Sequence, residues 1–120
     1  MGNSNQSSIW SFTTSQHPNY SPETPTKPTG ETNISCTKIM NYSTSTIDPD
    51  DDTLYYIWDW GDNSEPEIIG PYNSGEICNA THQWQTSGEY QITVRARDSH
   101  YRISPWSDPL TINAYDLPNI

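Results

Sequence analysis

Apolar and polar residues alternate with period two along much of this chain. The most strongly patterned run is Leu54 to Asp62, LYYIWDWGD, with Tyr56, Trp58 and Trp60 on one face of an extended strand and Tyr55, Ile57 and Asp59 on the other. Three large aromatics on one face require a facing layer to cover them. Gly61-Asp62-Asn63 ends the run with turn chemistry. Glu89 to Asp98 repeats the pattern, with Tyr90, Ile92, Val94 and Ala96 facing a core and Gln91, Thr93, Arg95 and Arg97 facing water. Glu76 to Trp84 sets Cys78, Ala80, His82 and Trp84 against Ile77, Asn79, Thr81 and Gln83. Asn33 to Thr46 reads as one long extended segment, with Met40, Tyr42, Thr44 and Thr46 on one face and Cys36 in the same phase. Ile68 and Ile69 suit a brief edge strand, and Trp106 to Ala114 closes the domain with Leu110 and Ile112 inward. Helical periodicity is absent. Short strands at regular spacing with turn signals between them predict an all-β, antiparallel β-sandwich. Its core is expected at Trp58, Trp84, Tyr90, Ile92 and Val94.

The ends of the chain read differently. Residues 1–14 form an N-terminal tail carrying one β-prone run, in which Ile9 leads into Trp10 and Phe12 on a shared face. Residues 15–30 hold Pro18, Pro22, Pro25 and Pro28 and predict a semi-rigid extended linker, because each proline fixes φ and removes a donor. The sandwich is expected over 31–115, with a short C-terminal tail over 116–120.

Composition narrows the class. In 120 residues, one domain's length, Lys plus Arg number 5 against 15 Asp plus Glu, a net charge of −10. That balance argues against nucleic acid and anionic membrane surfaces, both of which need positive charge. Only 31% of residues are hydrophobic, so the core relies on Trp and Tyr. No apolar run is long enough to span a membrane. Met1 is followed by GNSNQSS rather than a basic and apolar leader, so an exported protein of this sequence would be a fragment or a processed product. Glycosylation sequons stand at Asn5, Asn19, Asn33, Asn41 and Asn79. In an exported domain two cysteines usually pair. Cys36 and Cys78 share the core-facing phase on strands expected side by side, which predicts a disulfide.

Several blocks of the chain resemble those of a known family. WDWGDN resembles the WDFGDG signature of polycystic kidney disease (PKD) domains, with Asn63 in place of the last glycine. THQWQTSGEYQITVRARD resembles that family's second block, with His82, Trp84, Gly88, Tyr90 and Asp98 at the matching places. DPDDD and SPWSDPLTI look like the corresponding stretches of PKD-type modules repeated in microbial surface and secreted proteins. The resemblance runs from about Pro25 to Ala114. It implies an immunoglobulin-like seven-strand sandwich in a non-enzymatic extracellular spacer, adhesion unit or appendage of a secreted enzyme. WSFTT near the N-terminus resembles the closing strand of a neighbouring Ig-like module.

Candidate chemistry is sparse. Asp48, Asp50 and Asp52 place three carboxylates within five positions, a pattern that suits Ca²⁺. The EF-hand pattern is not met, since its sixth position is Thr53 and its twelfth Asp59. The plain alternative is an acidic turn held by Asp side chains bonded to local amides. No other cofactor is suggested. Asp59 and Asp62 flank Trp60, where Asp62 reads as a loop tie rather than a catalyst, and His82 alternates with core residues and reads as structural. Trp60, Tyr72, Tyr101 and Trp106 would stack on sugars if exposed and otherwise cover the sandwich edges. No catalytic constellation is present. The functional expectation is a structural or adhesion module that self-associates or pairs with neighbouring Ig-like modules. In that reading the strand carrying Ile9, Trp10 and Phe12 adds to another subunit and builds an array or filament. The rival is a carbohydrate-binding or spacer module of a secreted hydrolase.

Overall fold

Each alternating run becomes a strand because a period-two sequence can bury one face only as an extended chain. The computed structural model describes residues 19–116. In chain order the strands are β1 (Asn33–Ser35), β2 (Met40–Thr44), β3 (Leu54–Asp59), β4 (Glu67–Tyr72), β5 (Cys78–His82), β6 (Gly88–Asp98) and β7 (Leu110–Tyr115). A five-stranded sheet of order β1-β7-β6-β3-β4 faces a two-stranded sheet, β2-β5. The core between them holds Trp58, Trp84, Ile92 and Val94, all fully buried, as expected. Trp60, Tyr42, Tyr56 and Leu54 complete it. Trp58 stacks on Trp60 at 5.0 Å, and Tyr42 meets Trp84 edge-on at 5.9 Å. Tyr90 is the exception among the five expected core residues. It is half-buried, packs against Trp84, and donates its hydroxyl to the carbonyl of Thr86 at 2.8 Å. That back-bond to the turn is the tyrosine corner of Ig-like folds.

Three expectations change. First, Asn33 to Thr46 is not one strand. Thr37 sits in the left-handed region at φ 65°, and the chain changes sheets there. Residues before the bend pair with β7 in parallel, so one pair of an otherwise antiparallel sandwich is parallel. Second, the proline-rich stretch is bonded to the sandwich over 22–31 rather than lying outside it. The amides of Glu23, Thr26 and Thr29 donate to the carbonyls of Ile47, Ser45 and Ser43 at 2.9, 3.1 and 2.9 Å. Pro22, Pro25 and Pro28 are buried. They fall on the positions where no donor is needed, which is how an extended proline-rich segment can line a strand. From β2 and the residues just after it, Tyr42, Thr44 and Thr46 donate their hydroxyls to the carbonyls of Glu31, Thr26 and Glu23 at 2.8, 2.7 and 2.6 Å. Gly30 allows the approach, since a Cβ there would run into the Tyr42 ring.

Third, Cys36 and Cys78 are separate thiols, not a disulfide. Cys36 follows β1, where its amide donates to the carbonyl of Tyr115, while Cys78 opens β5 opposite Thr44. The next residue, Thr37, is bonded to Trp84, six residues beyond Cys78. Six extended residues span about 20 Å, whereas a disulfide tolerates at most about 7 Å between Cα atoms. Cys78 instead fills the core between Trp58 and Tyr72, and burial raises its thiol pKa.

Candidate metal centre

The turn between β2 and β3 is built around Asp48, only 2% exposed. Its Oδ1 accepts the amides of Asp50 at 2.8 Å and Asp52 at 3.3 Å, and its carbonyl accepts the amide of Asp51 at 2.9 Å. The local self-bonding of an Asp-rich turn is therefore present. It leaves Asp48 Oδ2 buried with no partner. Burial raises the Asp48 pKa above the usual carboxylate value; the two amides pull it down, and the charges of Asp52 and Asp98 push it back up.

Asp98, the last residue of the family's second block and of its strand, belongs to the same corner. β3 and β6 pair with Leu54 opposite Asp98, so the end of β6 comes to rest beside the start of β3 and the acidic turn. Asp98 is fully buried. Its Oδ1 accepts the amides of His100 and Arg102, both at 2.9 Å, and its Oδ2 accepts Nδ2 of Asn19 at 2.9 Å. Burial acts to raise the Asp98 pKa, but these hydrogen bonds outweigh it and hold it below the usual value. His100 Nδ1 lies 3.1 Å from Asp52 Oδ2. The start of the described chain closes the corner, where the amide of Tyr20 donates to Asp50 Oδ2 at 2.7 Å. Ligand atoms of Asp48, Asp50 and Asp52 lie within 4.8 Å of one another, as do those of Asp52, Asp98 and His100. The three aspartates predicted from the sequence do converge. Asp98 and His100 were missed because they are far away in sequence, and only strand pairing brings them in.

The donor set fits a hard cation. Carboxylate oxygens are the ligands Ca²⁺ prefers, and it tolerates irregular geometry. A buried carboxylate oxygen with no hydrogen-bond partner is costly unless protonated or bound to a cation. Asp48 Oδ2 meets that description.

Asn33, Asn41 and Asn79 are exposed, while Nδ2 of Asn19 is engaged by Asp98. Asn5 and the strand-addition residues Ile9, Trp10 and Phe12 lie outside the described residues. His82 stacks on Trp60 at 4.7 Å and contacts Asp62 Oδ2 through Nε2 at 2.8 Å. Asp62 also accepts the amide and hydroxyl of Ser64, so it ties the loop after β3. Burial would raise the Asp62 pKa, but Ser64 and His82 lower it below the usual value. Trp60 is buried and Tyr72 half-buried, while Tyr101 and Trp106 are exposed. Arg97 lies 4.7 Å above the Tyr101 ring and Arg95 4.3 Å above the Trp106 ring.

The PKD domain family matches residues 21–104. Among solved structures, the PKD domain of an M14-like peptidase from Thermoplasmatales archaeon SCGC AB-540-F20 is 35% identical. It superposes with a TM-score of 0.74, covering 81% of this chain and 98% of that one. The PKD domain of the human VPS10 domain-containing receptor SorCS2 shares the fold at 17% identity and a TM-score of 0.58, over 92% of this chain and 87% of that one. A CARDB domain from Pyrococcus furiosus does so at 9% identity and 0.52, over 80% and 96%. No helix of the described residues is long and apolar enough to cross a membrane. The WDWGDN turn tied by Asp62, the tyrosine corner at Tyr90 and the two-sheet core are thus those of a known module, and the chain belongs to the PKD domain family.

Proposed function

We propose that this chain is a non-catalytic joint in a larger extracellular protein, set by calcium at the corner where its N-terminal strap enters. PKD domains occur in extracellular or surface proteins, and they are generally non-catalytic modules, some of them attached to peptidases. The observation that carries the joint reading is the bonded strap. A free linker would let a preceding segment swing, whereas Asn19 and Tyr20 bind the acidic corner and residues 23–31 bind β2 and its C-terminal extension. Asp48, Asp50 and Asp52 would supply the oxygens for the ion, with Asp98 and His100 grouped beside them around Asp52. When bound, Ca²⁺ would neutralise carboxylates that otherwise repel one another and would hold the strap's first residues against them. Carbohydrate binding is the weaker reading, because guanidinium groups already lie over the exposed rings of Trp106 and Tyr101, where a sugar would stack. Filament assembly through Ile9, Trp10 and Phe12 rests on the sequence pattern of that strand.

The test is thermal unfolding of the full chain in chelator and in millimolar calcium, with calorimetric titration of the metal. A ligand that binds only the folded state raises the melting temperature by mass action. An unchanged curve with no heat of binding would remove calcium from the joint.

A further inference from the structure

The outer face of the five-stranded sheet carries an arrangement that neither the core nor the acidic corner uses. β6 presents Arg95 opposite Ile57 and Arg97 opposite Tyr55. Each guanidinium lies on aromatic rings, Arg95 over Trp106 at 4.3 Å and Arg97 between Tyr55 at 4.8 Å and Tyr101 at 4.7 Å. The Nε atoms of both arginines are buried and without acceptors. Among the described residues no arginine is paired with a carboxylate, since both ion pairs there are histidine–aspartate contacts. All three arginines of the chain, Arg95, Arg97 and Arg102, lie on β6 or in the loop that follows it, against 15 acidic residues overall. Exposed apolar surface flanks the pair, with Ile68 at 56%, Ile103 at 43% and Trp106 at 38%.

With Nε buried, only the terminal Nη donors of each guanidinium are left for an incoming acceptor, and a cation already held over rings loses little freedom when one arrives. A carboxylate takes the two-pronged geometry that guanidinium offers. Neutral sugars do not fit, because the ring faces are covered. The matching surface is an exposed acidic projection beside apolar area. This chain has one at its own end, where Ile47 is 54% exposed and Asp51 is exposed at the tip of the acidic turn.

We propose that the Arg95–Arg97 face receives the acidic turn of a second copy, with Asp51 on the guanidinium pair and Ile47 against the flanking apolar residues. The contact joins a face to an end, so it is head-to-tail and need not close. It requires neither bound calcium nor residues 1–14, and calcium at Asp48, Asp50 and Asp52 would weaken it by neutralising part of the turn's charge. Sedimentation velocity of the full chain, in chelator and from micromolar to millimolar concentration, tests it. The wild type should associate, and less so in high salt. Arg95→Gln with Arg97→Gln keeps the aliphatic stems and should weaken association about tenfold. Arg97→Glu should abolish it, and adding Asp51→Lys should restore it, with folding checked by near-ultraviolet circular dichroism. A wild type monomeric to millimolar concentration, an unaffected Gln variant, or loss without rescue overturns the proposal. So does association that survives these changes but vanishes when residues 1–14 are deleted.

Discussion

Replacing Thr44 and Thr46 together by valine tests whether the proline-rich strap is part of the fold. Both threonines are buried, at 4% and 7% exposure, so valine keeps shape, volume and strand propensity while removing two hydroxyls. The change deletes the bonds from Thr44 Oγ1 to the carbonyl of Thr26 (2.7 Å) and from Thr46 Oγ1 to the carbonyl of Glu23 (2.6 Å). It also deletes the contact between the hydroxyls of Thr44 and Thr26 (3.0 Å). Each such bond contributes about 1 kcal/mol net. The acceptors are part-buried, so water recovers some of the loss, and the double variant should be about 2 kcal/mol less stable. For a domain this size that is a fall of roughly 10 °C in melting temperature. Denaturant unfolding gives the global figure, and hydrogen exchange at the amides of Glu23, Thr26 and Thr29 gives the local one. If the midpoint moves by less than about 0.5 kcal/mol equivalent, or those amides exchange freely in the wild type, the strap is only a tether. The domain would then begin near residue 31.

Trp58→Ala empties the centre of the core and should cost about 3–5 kcal/mol in denaturant unfolding; a loss under about 1 kcal/mol would contradict its full burial. Asp48 holds its proton more tightly folded than unfolded, so its contribution falls as pH rises through the window just above the usual carboxylate range. Asp48→Asn should therefore raise the melting temperature in chelator at neutral pH and remove any rise caused by calcium; a fall in chelator would mean that the free oxygen carries no penalty. Asp62 and Asp98 have the opposite sign, so wild-type stability should drop as pH falls through and below the usual carboxylate range. Alkylation without reductant should label half-exposed Cys36 in the folded protein and Cys78 only on unfolding, read by intact mass; two thiols refusing label in denaturant would reinstate the disulfide.

Strand character is local, and the sequence by itself determined it. Alternation at Leu54–Asp59, Cys78–His82 and Gly88–Asp98 dictates which side chains turn inward, because neighbouring residues on an extended chain must point to opposite faces. The family blocks and the Asp48, Asp50, Asp52 cluster were legible for the same reason, as short stretches with defined spacing. What only the tertiary structure decided involves partners distant in sequence. Asp98 joins the acidic corner because β6 pairs with β3 in a register that sets it opposite Leu54. Cys36 and Cys78 share a phase yet never meet, because Thr37 turns the chain into the other sheet, and phase says nothing about which sheet a strand enters. The prolines at 22, 25 and 28 announced an extended segment, but an extended segment without period-two alternation carries no sign of what it lies against. The hydroxyls of Tyr42, Thr44 and Thr46, reading as one face of a strand, supplied that surface only once the sheets had assembled.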